Sequence, residues 1–578
     1  MVTVVAPAGT GKSRLLNEFV THSEMRALRG RCLSYGEGLT FWPLAEIARA
    51  VADIGNDDPS AEAQEKLAAL LGPAGRDVAD RIAGAIGLSP ATYPVEETFW
   101  AARRFLELLS DGRPLIVLID DIHWAERTFL DLIRSVAATL TGVPVVLACS
   151  ARPDLFDAHP DWGEESERHR VLVLQPLSED ESVKVAENLL GTTDLDAKVR
   201  TKIVEAAEGN PLFVEQMLSM LLDDGILERD DRGRWILIRH VGAITIPPTI
   251  QALLSSRLDR LGPIDRVVVE RAAVIGQVFF RGAVEDLSPA EVRRHTGESL
   301  RSLTHRELVQ PYESSFAGQE AYRFMHILIR EAAYHGLLKR TRADLHVRFI
   351  DWLERVAPDR VLEFEEIRGY HLEQAFFTLQ QLTPNDEQVW QIGVRGSGYL
   401  SAAGRRALAR GDIPAAANLL RRASTLLPPG HPERPRLRLD AAEALTEQGG
   451  FAEAEALHQA AVEEARELSD RVLEVTARIQ EMELRYTIDP EAVAETVVGE
   501  VEALLPELQA LEAHDGLARA WRLIMFVREM GLQWGESEAA AQLTLDHARL
   551  AGNRRMVGRA IPSLGYCALS GPTPVPEA

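Results

Sequence analysis

Cysteine is nearly missing from this chain. Cys32, Cys149 and Cys567 are the only three in 578 residues, widely separated and odd in number. No disulfide framework or zinc spacing can be built from them, and a reducing cytosol is the natural compartment. Long apolar runs are missing too. A membrane helix needs roughly 18 such residues, whereas Leu115–Ile119 and Val143–Cys149 are only strand-sized. The amino-terminal MVTVVAPAGTGKS has no basic n-region, and its apolar stretch is too short for a signal peptide. No membrane partner is expected, and the protein reads as cytoplasmic. Basic charge is also in short supply: 63 Lys and Arg against 87 Asp and Glu leave a net −24. That excludes a broad nucleic-acid-coating face, which relies on neutralising many phosphates, though not a small local DNA-reading module. No nucleic-acid partner is expected of this chain alone. What remains is ordinary globular composition, 46% hydrophobic and 26% charged. The length suggests about four domains.

The first part alternates short β-branched runs with helical stretches. Val2–Val5, Leu115–Ile119, Val145–Ala148 and Val171–Leu174 read as buried strands. Near-continuous apolarity suits a parallel sheet with helices on both faces, an α/β layer architecture over residues 1–176. From Leu177 to about Leu222 the pattern turns helical, suggesting a lid over 177–245. A further unit, 246–345, opens at Ile246-Pro247-Pro248-Thr249, and apolar positions then recur at Ile250, Leu253, Leu254, Leu258 and Leu261.

The tail, 346–578, is rich in Ala, Leu, Glu and Arg and repeats itself. Gly411, Ala416, Ala423 and Pro428 stand at offsets 0, 5, 12 and 17, and Gly449, Ala454 and Ala461 reproduce the first three (449 − 411 = 38 residues on). A weaker echo pairs Gly535 with Ala540. Small residues at these spacings let paired helices approach closely. The pattern resembles the tetratricopeptide repeat, whose period is about 34 residues, with PPGHPERP (428–435) as an insertion. An ordinary helical bundle is the alternative.

Chemistry concentrates in two motifs. Ala6-Pro7-Ala8-Gly9-Thr10-Gly11-Lys12-Ser13 follows a β-branched strand and precedes Leu15, Leu16 and Phe19 at helical spacing. Strand, glycine-containing turn and helix start are what a phosphate-binding loop requires. Backbone N–H groups of residues 9–13 would cradle the phosphates with the positive end of the helix dipole, and Arg14 closes the segment. Lys12 would reach the β- and γ-phosphates, and the Ser13 hydroxyl would ligate Mg²⁺. Alanine at the first motif position, Ala6, removes one flexible joint. The second motif is Arg113-Pro-Leu-Ile-Val-Leu-Ile-Asp-Asp121, an apolar strand ending in paired carboxylates, 120 − 12 = 108 residues after Lys12. Asp120 would hold Mg²⁺, and Asp121 would orient or deprotonate the attacking water. A strand capped by solvated acids is the bland alternative, and the preceding loop disfavours it.

Six stretches carry a family resemblance: GRCLSYGEGLTFWPLAEI (30–47), LIDDIHWAERTFLDLI (118–133), ACSARPDLFDAHPDW (148–162), EGNPLFVEQML (208–218), IPPTIQALLSSRLDRL (246–261) and FMHILIREAAYHGLL (324–338). The chain resembles STAND-type P-loop signalling ATPases, specifically the ATPase half of bacterial soluble adenylyl/guanylyl cyclase-like proteins and large LuxR-type regulators. The resemblance implies ATP (GTP less so) and Mg²⁺ as cofactors. It matches Arg152 to a sensor arginine that reads the γ-phosphate, where a structural arginine would need an acidic partner. It places Pro211 of Gly209-Asn210-Pro211 near the adenine, and His326 on a diphosphate from a winged-helix-like module. A lone histidine is more often a satisfied core residue. Trp42 and Trp124 read as packing. Relatives carry a segment before the first strand that closes over the adenine, so both ends of this chain are expected to be truncated, and adenine affinity weakened.

The implied function is a signalling ATPase switch with slow hydrolysis. ATP would favour an open, self-associating state and ADP a closed one, while the repeats receive a protein or small-molecule signal. The alternatives are a fragment of a cyclase-like protein or LuxR-type regulator without its output domain, or a non-hydrolysing repeat scaffold. Cyclase activity is not expected from this chain alone.

Overall fold

A computed structural model describes residues 1–33, 40–55, 58–164, 168–191, 200–201, 204, 207–223, 227–229, 235–237, 249–312, 314, 318–358, 360–384 and 386–571. Parts of three sequence motifs fall outside these residues: 34–39 of the first family stretch, Ile246-Pro247-Pro248, and the end of the Pro-rich tail. The described chain forms two compact units, Met1–Val389 and Trp390–Ala578.

In the first unit five parallel strands form one sheet in the order β2-β3-β4-β1-β5. They are β1 (Val2–Val5), β2 (Arg26–Arg31), β3 (Leu115–Asp120), β4 (Val145–Ala151) and β5 (Arg170–Val173). The central strands are the β-branched runs, because side chains alternate and both faces must be filled. Val117 and Ile119 of β3 enter a large core with Ile47, Ile82, Phe105 and Phe129. Leu118, between them, points the other way and packs with Val4, Leu16 and Ala148.

The two edges depart from expectation. Strand β5 was expected to be buried, yet Leu172 and Val173 are 50% and 58% exposed, because an edge strand is covered on fewer sides. Strand β2, Arg-Ala-Leu-Arg-Gly-Arg, carries no apolar run and gives no sequence signal, although it pairs with β3 from Arg26↔Leu115 to Arg31↔Asp120.

After the sheet, Ser178 and Glu181 form a capping box that starts the helix Glu179–Leu190. A second helix, Pro211–Asp223, follows, with the antiparallel pair β6 (Leu227–Arg229) and β7 (Trp235–Leu237). Thr249 then caps the helix Ile250–Asp259 by accepting from the Ala252 N–H at 3.2 Å. The helix Pro263–Ile275 leads to β8 (Val278–Phe280), then to helices that include Arg281–Leu287 and Thr296–His305, and to a hairpin of β9 (Val309–Tyr312) and β10 (Ala321–Phe324). These strands form an antiparallel sheet in the order β8-β10-β9, backed by Phe279 and Phe324. The expected boundary at 345/346 falls inside the helix Lys339–Val356.

The second unit is built of consecutive helices. Ala416, Ala423, Ala454 and Ala461 are fully buried where neighbouring helices meet. Gly404 shows how close that approach is, because a Cβ there would stand 2.8 Å from Leu420. Gly411 and Gly449 lie two residues ahead of the helices Ile413–Thr425 and Phe451–Glu467, at φ +77° and +83°. The third echo is out of phase. Gly535 lies inside the helix Trp534–Leu550, and the left-handed turn position is filled by Leu532 at φ 57°. No described helix of either unit is long and apolar enough to cross a membrane.

Candidate functional site

The phosphate-loop motif forms a turn between β1 and the helix Lys12–Ser23. Ala6 continues the strand, its N–H donating to the Ala151 carbonyl at 3.2 Å, so no special φ is required and alanine fits without strain. The special conformations fall on Gly9 and Gly11, at φ +85° and +99°, where a side chain would cost free energy. Gly11 stands at the helix start, and nothing lies within 4 Å of where its Cβ would be. Thr10 braces the turn by donating to the Pro7 carbonyl at 2.9 Å. Lys12 folds over its own loop, donating to the carbonyls of Ala6 (2.7 Å) and Pro7 (3.0 Å). Burial lowers its pKa, with Arg152 acting in the same sense and Asp120, Asp121 and Asp154 opposing. Ser13 and Arg14 are exposed on the first helical turn, Arg14 facing Glu215 of the Pro211–Asp223 helix.

The paired carboxylates emerge at the end of β3. Ser150 of β4 links them: its hydroxyl donates to Asp120 Oδ1 at 3.0 Å and accepts from the Asp121 N–H at 2.9 Å. Asp121 adopts a left-handed conformation, φ 59° and ψ 42°. Such a backbone is uncommon outside glycine and clusters at functional sites. Burial, then the neighbouring Asp120, raises the Asp121 pKa.

Two later segments close on this centre. Asn210 accepts from the N–H groups of Leu212 (3.0 Å) and Phe213 (3.4 Å), capping the helix that Pro211 opens, and donates to the Ala8 carbonyl at 3.2 Å. Leu212 N–H donates to the Gly9 carbonyl at 3.3 Å. The Gly-Asn-Pro turn therefore rests on the phosphate loop itself. From the β8–β10 module, His326 caps the helix Ile327–Gly336 through Nδ1. Burial and the fields of Arg152, Lys12 and Arg323 push its pKa down to about 4. Arg152, just past β4, stands over the Trp124 ring at 5.7 Å and reaches toward Glu331 at 4.0 Å. It thus has both an acidic neighbour and a share in the field of the phosphate loop. Trp124 packs against the core, as its sequence context suggested, with its ring tilted against His123 at 5.0 Å.

Lys12, Asp120, Asp121, Arg152 and His326 are thus brought together. Sequence reasoning missed Ser150, a polar residue inside an apolar strand, and named Asn210 only within the Gly209-Asn210-Pro211 motif, since its cap and loop contacts need the tertiary fold. It also missed His123, both of whose ring nitrogens are buried without a hydrogen bond. Burial, Arg152 and Lys12 push that imidazole down to about 3. Arg31 and Arg323 were missed as well.

Residues 1–148 match the AAA ATPase domain, 178–232 a domain of unknown function, and 407–479 the tetratricopeptide repeat. An uncharacterized protein of Rhizobium meliloti (strain 1021) is 30% identical over 373 residues, which cover 60% of this chain and 34% of that protein. The chain therefore spans about a third of the length of the curated relative it matches. Among solved structures, a STAND protein with a tetratricopeptide repeat sensor from Pyrococcus horikoshii aligns over 97% of this chain and 93% of its own, at 12% identity and TM-score 0.37. The Aeropyrum pernix Orc1 protein in complex with DNA aligns over 58% and 86%, at 13% identity and TM-score 0.24. The chain thus joins a stretch matching the AAA ATPase domain to a stretch matching the tetratricopeptide repeat.

Proposed function

We propose that this chain is a STAND-type ATP-dependent switch, in which residues 1–176 hold the nucleotide, 177–245 form a lid, a winged-helix-like module over 246–345 clamps the closed state, and the repeats of 346–578 receive the signal. The observation that carries the reading is convergence. Asn210 of the lid hydrogen-bonds the phosphate loop, and His326 of the module lies in the field of Lys12 and Arg152. A nucleotide exchanged at this point would change contacts to both elements, and a differential contact is what a ligand-driven population shift requires.

The residues present fit a polyphosphate. Gly11 leaves the cradle open at the helix start, which supplies N–H groups. Ala6 to Ser13 would wrap the phosphates, with Lys12 exchanging its loop carbonyls for phosphate oxygens. Ser13 and Asp120 would hold Mg²⁺, whose role is charge neutralisation. Asp121, with its raised pKa, is suited to orienting or deprotonating a water. Pro211 would lie beside the base. Hydrolysis is slow in this reading, because the output is a population of states. Three buried free thiols suit a reducing cytoplasm. The signal at the repeats is a protein or small molecule, and the ATP state self-associates.

The test is titration with a fluorescent ATP analogue and Mg²⁺, with phosphate release followed in the same samples, for the wild type and Lys12→Ala. Saturable binding with slow turnover, both lost in the variant, is expected. Equal behaviour of the two proteins would sink the reading and leave a non-hydrolysing repeat scaffold.

A further inference from the structure

Two arginines that the switch reading does not use, Arg31 and Arg323, share an electrostatic neighbourhood with the carboxylate pair. Arg31 ends the edge strand β2, is 9% exposed, and has its Nε buried without a hydrogen-bond partner. Its backbone N–H donates to Glu46 Oε2 at 2.7 Å, which fixes the end of the strand next to Asp120. Arg323 comes from β10, almost three hundred residues later, and its Nε is likewise buried and unpartnered. Its guanidinium stands over the Tyr312 ring at 5.7 Å. Neither guanidinium makes an ion pair with a carboxylate among the described residues. Arg323 is pushed down to about 10 by burial first and by Arg31 second, with Tyr312, Asp120 and Asp121 opposing.

Burying two like charges without matching hydrogen bonds is costly. Arg31 stands in register with Asp120 and the field of Asp120 and Asp121 reaches Arg323, and planar guanidinium forks match phosphate oxygens in a bidentate way. We propose that Arg31 and Arg323 form a terminal-phosphate clamp, which makes this site prefer a nucleoside triphosphate to a diphosphate and ties the β8–β10 module to the third phosphate. The inference rests on the nucleotide reading of the Lys12 site and adds the discrimination between its two ligands. His326 and Arg323 then divide the work within one module. His326 faces Lys12 and Arg152, and Arg323 faces the Asp120–Asp121 end.

The experiment measures Kd for fluorescent ATP and ADP analogues with Mg²⁺ on the full chain, for the wild type, Lys12→Ala, Arg31→Gln, Arg323→Met and Arg323→Lys. The clamp predicts that Arg323→Met and Arg31→Gln each weaken ATP at least about tenfold, the effect of losing one charge-assisted contact, while ADP changes less than about twofold. Arg323→Lys should recover part of the ATP affinity. Should Arg323→Met fail to fold, the ATP-to-ADP ratio in Arg323→Lys and Arg31→Gln decides. Equal weakening of both nucleotides would mean a merely structural role and overturn the clamp, as would an unchanged ratio. If the wild type binds neither nucleotide, or Lys12→Ala binds both as well as wild type does, the switch reading falls together with the clamp. Normal Lys12 dependence with an unchanged ratio sinks the clamp alone.

Discussion

Arg519 in the second unit and Arg31 in the first are almost equally buried, at 7% and 9% exposure, yet their surroundings differ in kind. Arg519 donates to Glu443 at 2.8 Å and to Asp515 at 3.0 Å, and Glu443 also receives Arg555 at 2.8 Å and Arg559 at 3.2 Å. These cations hold the Glu443 carboxyl far below its ordinary range, against the opposing effect of burial. Arg31 and Arg323 make no ion pair among the described residues, and the fields of Glu46, Asp120 and Asp121 reach them. A buried charge supplied with counter-charges is part of the scaffold. A buried charge left without them marks a site whose counter-charge arrives from outside.

The sharpest test of this contrast uses truncation in each unit. Glu443→Ala leaves Arg519 buried with less compensation and should destabilise the chain by about 3–5 kcal/mol, read from chemical denaturation. Arg323→Met without nucleotide should leave stability unchanged or raise it, since an unpaired charge is removed. A comparable loss in both would break the contrast.

A smaller effect probes the lid. Gly209 sits at φ +76°, and a Cβ there would stand 2.4 Å from the Leu177 carbonyl oxygen. Gly209→Ala should cost about 2 kcal/mol in thermal unfolding and weaken nucleotide binding, because Asn210 follows directly. Unchanged melting would mean that the turn relaxes freely.

Acid should distinguish the units as well. His326 is held at about 4 and His371 at about 3 in the first unit, by burial above all. Their folded pKa values lie below the unfolded value near 6.5, so the unfolded chain takes up protons first. Their contribution is present in full above about pH 6.5 and is lost as pH falls toward 4. The loss is up to about 1.4 kcal/mol per pH unit for each imidazole. In the second unit His458, at about 4, adds one such group, while Glu443 keeps its charge. Stability measured between pH 7 and 4.5 should therefore decline more steeply in the first unit than in the second. A steeper decline in the second unit would contradict the assignment of buried neutral histidines.

The smallest effect concerns the repeat turns. Leu532 is 71% exposed and adopts the left-handed conformation that glycine supplies at Gly411 and Gly449. Leu532→Gly should stabilise the second unit by about 0.5–1 kcal/mol, and a destabilisation of that size would show that Leu532 contributes contacts worth more than its strain.

These sites also explain what could be read from the sequence. The phosphate loop and Asp120–Asp121 were legible because strand, turn and helix signals are local and adjacent. Strand β2 was not, since an edge strand can carry Arg26, Arg29 and Arg31 without an apolar run. Arg323 gave no sign at all, because only the fold brings it into the field of Asp120 and Asp121. The alanine spacing of the repeats was legible from Gly411 to Ala461. It failed at Gly535, where Leu532 had taken the turn position and the glycine belonged to the helix.

Hydrogen exchange of the full chain, with and without ATP and Mg²⁺, tests the central claim most directly. The account predicts new protection in residues 9–13, in 208–212 and in 321–328 together, since loop, lid and module share one ligand. Protection of the loop alone, with the lid and the module unchanged, would contradict it.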